Sequence, residues 1–481
     1  MAMTSPVRDH RRSAKPVANT AWPRLGRKGV FGAALAVASV AMLGMTALAA
    51  EGGKWYLVRR NAQSAADVAA LAGAVTMAWQ GTGATGQAAG VAASQAVSTS
   101  NGFTNASPTV VTPTPCIWNA GTCTPDSTAP NAMRVTISQP QSSILARLVS
   151  SLSPVVNVNA VAVLRKIGDA CTLSRNNPTT FTGSNSLAVT DCVLASNYTP
   201  SGSIDCGGNA NPITLSNSAL YSVGPATRCD DLGANALLRG PPATDPYAAL
   251  KSATWPTPSG NQCQQANQMR TGSGNQPRIW TPQPWTSGAP RFICADISIQ
   301  NNDQLNLAPG LYFFYGSSLD VSGGTVGITG SGGVTLVFLA GNGNSAPGTV
   351  KITGGTTNLR APLATESPDY LLPGNYPQLR GMLMYRQYVA SDDVPGINLN
   401  NNQTIRFNGS PGSINLSGGM YFPTSQVFVA GVAGTGATLQ DCTSIVASEI
   451  TFTGNSTVAV NGCEENYGAN VSKLTVVRLV Q

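Results

Sequence analysis

The chain is short of the residues on which most catalysis depends. It has one histidine, His10, in the basic N-terminal stretch. Ser-His-Asp and Cys-His catalysis and histidine-based zinc or iron centres are therefore excluded from the rest of the chain. Charged residues make up only 10% of the composition and aromatics 6%, far from the profile of a helical cytosolic enzyme. No close C-x2-4-C pairs occur, which argues against structural zinc. The Gly-rich strings lack the Lys-Ser/Thr and following helix of a phosphate loop, and the GGxGxD calcium repeat is missing. Three acidic doublets remain: Asp230-Asp231, Asp392-Asp393 and Glu464-Glu465. Neighbours on a strand point to opposite faces, so such doublets suit turns better than an acid/base pair. Arg386 is the only basic residue close to Asp392. The expectation is a non-enzymatic protein with no cofactor and no metal.

Long apolar runs are also scarce, and the single one organises the chain. Gly29 to Ala50, with Val30, Phe31, Leu35, Val40, Leu43 and Leu48 along it, is uncharged over 22 residues. As a helix it spans about 33 Å, close to the ~30 Å hydrocarbon core of a bilayer. Seven Lys/Arg precede it (Arg8, Arg11, Arg12, Lys15, Arg24, Arg27 and Lys28) against one acid, Asp9. The positive-inside tendency places residues 1–28 in the cytoplasm as a basic tail, 29–50 as a single-pass transmembrane helix, and the body in the periplasm. Ala47-Leu48-Ala49 offers a small-x-small cleavage site, but the run exceeds the ~7–15 residues of a signal core, so an uncleaved anchor is expected. A prepilin-type leader would need a glutamate five residues after a glycine; Gly29 puts Ala34 there and Gly26 puts Phe31. Most of the net charge of +7 sits in the tail. The near-neutral remainder has no basic stripe for nucleic acid.

All ten cysteines follow the span: Cys116, Cys123, Cys171, Cys192, Cys206, Cys229, Cys263, Cys294, Cys442 and Cys463. An even number confined to the exported side implies disulfides in an oxidising compartment. Cys116–Cys123 and Cys442–Cys463 are plausible local pairs, and spacing leaves the connectivity open.

Residues 51–167 read as an amphipathic helix that continues the membrane helix without a break until Gly81-Thr82-Gly83, followed by a small α+β, pilin-like region. Val58, Ala62, Ala65, Ala69 and Ala72 recur at 4-3-4-3 spacing and form a small-residue packing ridge, with Val68, Leu71, Val75 and Trp79 on an adjacent stripe. The ridge serves either the protein's own next domain or a partner subunit. A weaker helical pattern covers 84–99, strands are expected at 133–138 and 155–164, and a short amphipathic helix at 142–152. From 168 to 481 the chain is β-rich, with short runs such as LYFFYG, GVTLVFLAG and MLMYRQ between Gly, Asn and Ser. Sparse hairpin signals favour a parallel β-helix over an antiparallel sandwich or barrel, with an Asn ladder expected at 398–404. The fold class is thus mainly β behind a long N-terminal helix.

The segment RLGRKGVFGAALAVASVAMLGMTALAAEGGKWYLVRRNAQSAADVAALAGA (24–74) resembles the N-terminal segment of the TadE/TadG-like Flp (tight-adherence) pilus-assembly family. The carrying features are Arg-x-Gly before the span, Glu51-Gly52 after it, then aromatic-Leu-Val-Arg-Arg and Gln-Ser-Ala-Ala-Asp-x-Ala-Ala-Leu-Ala-Gly. LAPGLYFF (307–314), GVTLVF (333–338), GGMYFP (418–423) and CTSIVASEITFTGNS (442–456) are similar to the β-rich C-terminal regions of TadG-related proteins. The resemblance implies a bitopic inner-membrane protein acting in pilus assembly or adhesion with other pilus-assembly proteins. The D-x-S-x-S metal site of some larger relatives is not carried over, because Asp296-Ile297-Ser298-Ile299-Gln300 lacks the second serine. The alternative is a membrane-tethered carbohydrate-binding or carbohydrate-cleaving β-helix, with Trp255, Trp280, Trp285, Tyr312, Tyr385 and Tyr421 lining a groove. Exposed aromatics would favour it and buried ones would not.

Overall fold

The computed structural model describes residues 30–142, 154–182, 187–190, 192–207, 213–216, 218–229, 237–272, 276–342, 346–409, 413–431, 442–453, 456–459 and 463–480. The basic tail, Gly29, the helix expected at 142–152 (from residue 143 on) and Asp230-Asp231 lie outside these residues. The protein is mainly β behind a long N-terminal helix, and the sheet is open.

Helix α1 runs unbroken over Val30–Gln80, 51 residues, or about 77 Å. Among the described residues it is the one helix long and apolar enough to cross a membrane. Its first part stands free: Leu35, Val37, Val40, Met42 and Met45 are 63–73% exposed. Apolar side chains left open along such a length mark a surface that meets lipid or another protein. Gly81, with φ +88°, ends α1, and α2 (Ala84–Ser100) folds back against it. Gly73 and Gly90 let the two backbones meet. A Cβ at Gly73 would lie 2.9 Å from the Gly90 carbonyl oxygen, and one at Gly90 would lie 2.8 Å from that of Gly73.

The outer half of α1 lies on a small antiparallel sheet. Strands β1 (Val110–Asn119), β2 (Thr122–Pro125), β3 (Ala132–Pro140) and β4 (Val155–Ser174) pair in the order β2–β1–β3–β4. The C-terminal strand Ser472–Val480 pairs on the other side of β4. Val135, Ile137, Val156, Val158 and Ala160 alternate inward against Ala62, Ala65, Ala66, Ala69 and Ala70, as expected where one face of a sheet is covered and the other solvated. The boundary expected at 167/168 falls inside β4, whose last residues join the next part of the fold.

In that part the strands pair in parallel, step by step. Cys263–Gln264, Phe292–Ile293, Gly310–Tyr315, Val334–Leu339, Met382–Arg386, Ile414–Gly431 and Thr443–Thr453 form one ladder. It continues through the end of β4 to Val193–Ser196, Ala219–Ser222 and Leu237–Arg239. The later half of the chain therefore closes on the earlier half at one seam, Ile445↔Thr172 and Val446↔Leu173. A second ladder runs through Ile297–Ile299, Leu319–Ile328, Val350–Arg360 and Thr404–Gly409, and a third through Ile279–Trp280, Gln304–Leu307 and the later residues of Leu319–Ile328 and Val350–Arg360. Stacked glycines make the corners: a Cβ on Gly324 (φ +66°) would strike the Asp303 carbonyl at 2.1 Å, and one on Gly355 (φ +72°) that of Gly323 at 2.4 Å.

The first ladder is buried on both faces, which explains its unbroken apolar runs. Along Gly310–Tyr315, Tyr312 and Phe314 turn into the interior, and Leu311 and Phe313 turn outward under another layer. That layer includes a strap, residues 240–262. It connects Leu237–Arg239 at one end of the ladder to Cys263–Gln264 at the other, and touches the strands in their stacking order. Tyr221 donates to the Pro241 carbonyl, and Asn197 exchanges two 2.8 Å hydrogen bonds with Ala243. Asp245 meets Arg175 and Tyr421, Tyr385 donates to the Leu250 carbonyl at 3.1 Å, and Trp255 packs on Tyr385 and Phe313. All ten cysteines are paired: Cys116–Cys123, Cys171–Cys192, Cys206–Cys229, Cys263–Cys294 and Cys442–Cys463. No Asn ladder forms at 398–404. Asn400 caps a short turn at Asn401–Gln403 instead, its side chain accepting from the Asn402 N–H.

Candidate functional site

The candidate site is the stretch where α1 leaves its free-standing part and docks on the sheet. Of the expected ridge, Ala62, Ala65 and Ala69 are fully buried, Val58 is half-buried at the margin of the same cluster, and Ala72 is half-covered. The buried face takes in Ala66, Ala70, Gly73, Ala74 and Met77 instead. A 4-3-4-3 repeat advances by 3.5 residues per turn and drifts off the face of a straight helix, whose period is 3.6. The ridge therefore packs on the protein's own sheet. What it leaves outward is the opposite face, where Leu57, Val68, Val75 and Trp79 are 36–58% exposed.

Beside the docked helix an open cleft of about 950 Å³ separates α1 from the edge of the sheet. Tyr56, Arg59, Arg60 and Asp67 line it from the helix, and Trp118 and Arg134 from β1 and β3. Gln63 closes one part by donating to Asp67 at 2.8 Å and to the Asn159 carbonyl at 3.0 Å. Cys116–Cys123 ties the β1–β2 hairpin at the rim. In the sequence Arg59 and Arg60 stand out only as the Arg-Arg pair of the 24–74 segment. The cleft itself could not be foreseen, because Trp118 and Arg134 reach it through strand pairing.

The residues weighed for sugar or acid/base chemistry are placed otherwise. Trp280, Trp285, Tyr312, Tyr385 and Tyr421 are 0–8% exposed, and Trp255 is half-buried among Phe313, Tyr376 and Tyr385. These aromatics fill the layers of the body and form no exposed row. Arg386, 1% exposed, donates to the carbonyls of Pro347, Gly348 and Asn402 and to Ser425 Oγ at 2.9–3.2 Å. Burial pulls its pKa down to about 10, so it stays charged at neutral pH as a structural cation. Asp392 accepts from Gln403, and Glu464 pairs with Lys473.

Asp393 belongs to a clasp at the seam. Arg175 Nη1 lies 3.0 Å from Asp393 and its Nε 3.0 Å from Asp245, and Lys251 Nζ lies 3.3 Å from Asp393. Burial alone would raise the Asp393 pKa. The hydrogen bond and charge of Arg175, with Asn176 and Lys251, outweigh it and hold the carboxyl at about 2.

The helix carrying the docked ridge is also the segment that matches a known family. Residues 29–76 match the putative Flp pilus-assembly TadE/G-like family. The match lies almost wholly within α1, so this TadE/G-like segment comprises the apolar run and the ridge packed on the sheet. A comparison with curated proteins found no match. Among solved structures, the competence-associated pilin ComZ from Thermus thermophilus aligns at 10% identity and a TM-score of 0.17, over 78% of this chain and 88% of that one.

Proposed function

We propose that the chain is a non-enzymatic, single-pass component of Flp-type pilus assembly or adhesion in a bacterial inner membrane, with its N-terminus in the cytoplasm and its body in the periplasm. The observation that carries this reading is the coincidence of the family match with one unbroken helix, which starts as an uncovered apolar rod and ends as the spine of the folded body. A helix of this kind fixes the body at a set height above the bilayer, where other pilus-assembly proteins would meet it. The seven basic residues before the span support the orientation, and five disulfides support an oxidising compartment.

In this reading the three parallel ladders wind about one axis as a β-helix, whose stacked corners and strap give a rigid contact surface. The reading is non-enzymatic because the described acid doublets serve the fold: Asp393 in the clasp, Asp392 on Gln403, Glu464 on Lys473. The buried aromatics leave the carbohydrate reading without support. Fractionation of a C-terminally tagged chain, with protease added to intact cells and to spheroplasts, tests the placement. Full-length protein in the inner membrane, with its body cut only in spheroplasts, is expected. A shortened soluble product, or a body cut only after lysis, would overturn it.

A further inference from the structure

The cleft beside α1 is unbalanced in charge. Arg59, Arg60 and Arg134 face Asp67, the one acid of its lining, and Asp67 is already bonded to Gln63. Among the described residues none of the three arginines has an ion-pair partner. Arg134 donates through Nη1 to the Cys123 carbonyl at 3.3 Å, while its Nε is buried with no hydrogen-bond partner. A guanidinium presents a fork of donors matched to phosphate and carboxylate oxygens, so an open cleft lined by three arginines without ion-pair partners has the chemistry of an anion site.

Position narrows the anion. Tyr56 lies about 9 Å beyond Ala50 along the helix, and Arg59 and Arg60 about 14–15 Å. Helical side chains lean toward the helix N-terminus, which here is the direction of the bilayer. An arginine of ordinary reach thus brings its guanidinium back to roughly 8 Å from the hydrocarbon, at the edge of the ~5–7 Å headgroup layer. Tyr56 and Trp118 add the amphipathic rings that favour the interface.

We propose that this cleft binds the phosphate of an anionic phospholipid headgroup, seating the body on the membrane surface. The inference rests on the membrane-spanning reading of α1. Three guanidinium groups and one phosphodiester give a charge-assisted contact with no covalent step. A lipid held there fixes the angle at which the body leaves the bilayer, and so the direction in which the exposed face of Leu57, Val68, Val75 and Trp79 is presented.

The test uses the full chain in nanodiscs of phosphatidylcholine with a tenth of phosphatidylglycerol. Lipids retained after mild detergent release are counted by native mass spectrometry. Wild type should retain phosphatidylglycerol in preference to phosphatidylcholine. The preference should fall by about fivefold per arginine removed, at the strength of one basic group near an anionic surface, hence about 25-fold in R59Q/R60Q, which leaves the sheet untouched. The charge-matched control R291Q/K351Q should keep it. Adding R134Q should lower it further. Equal retention of both lipids by wild type, or equal loss in the control, would overturn the proposal. Displacement of the bound group by millimolar inorganic phosphate would identify a free-phosphate site and overturn the lipid assignment. Flotation of each variant with liposomes is read separately. A wild-type chain that fails to float sinks the membrane-spanning reading, whereas one that floats without lipid preference sinks only the cleft.

Discussion

Arg175→Ala should release the strap at the seam, by an amount the geometry sets. Arg175 follows the last strand residue of β4 and bonds Asp245 on the strap, Asp393 and the Pro423 carbonyl at 2.9–3.0 Å. The three charged side chains are only 10–15% exposed. Removing one partner of so buried a set leaves uncompensated charge and costs about 3–5 kcal/mol. Lys251, 3.3 Å from Asp393 and 3.9 Å from Asp245, stays behind as a partial counter-ion, which favours the lower end, about 3 kcal/mol.

The pH dependence makes the claim sharper. Asp393 is held at about 2 in the folded protein, below its ordinary value of ~3.9. Its contribution is therefore fully present above about pH 4 and is lost as pH falls through about 2, roughly 2–3 kcal/mol in all. The variant loses most of that depression. The stability difference between wild type and R175A should shrink from about 3 kcal/mol at pH 7 to under about 1 kcal/mol at pH 2. Taking the difference cancels the other acids, including Asp303 and Glu366, which are also held low by their arginine partners against the opposing effect of burial. Hydrogen exchange of peptides from residues 240–262 reads the local opening free energy. Exchange in R175A within a factor of two of wild type at pH 7, or a difference that does not change down to pH 2, would refute the reasoning.

Other expectations follow from single contacts. Gly73→Ala forces a Cβ within 2.9 Å of the Gly90 carbonyl and 2.1 Å of Ser94 Oγ, so overpacking by about 1–3 kcal/mol should outweigh the ~1 kcal/mol gain in helix propensity. Gly53→Ala, with nothing within 4 Å, should show only the gain, and exchange of α2 amides compares the two. Arg386→Met strands four acceptors, three of them buried, and should cost about 3–5 kcal/mol. Arg386→Lys should recover less than half, since an ammonium cannot fork to all four, and urea midpoints check both. Cys263→Ser/Cys294→Ser opens the disulfide joining the end of the strap to the ladder, sequence separation 31. About 2–4 kcal/mol should be lost, seen as earlier thermal unfolding of peptides around 255–295.

How far the sequence carried these conclusions depends on the range of the signal. The helix was legible because its cause is local: an uncharged run, then alanines at helical spacing. Its buried face was set slightly off, at Ala72 in place of Gly73 and Ala74, because a heptad count drifts on a straight helix. Strands such as Val334–Leu339 were legible as short apolar runs between Gly, Asn and Ser, while their burial on both faces came only with the layers packed over them. The strap was invisible, since residues 240–262 carry no periodicity and take their course from Tyr221, Arg175, Tyr421 and Tyr385, each distant in sequence. Asp245, Asp393 and Arg175 could not be joined for the same reason. The cleft arginines had the right charge near the span, and only strand pairing brought Arg134 to Arg59 and Arg60.

The most direct measurement of the central claim is the number of pili per cell, and surface adherence, in a strain lacking this chain. The strain is complemented by the full chain or by residues 51–481, which keep the docked half of α1, exported behind a cleavable signal. The account predicts that pili and adherence are lost, return with the full chain, and do not return with the untethered body. Normal piliation without the chain, or full recovery with the untethered body, would contradict it.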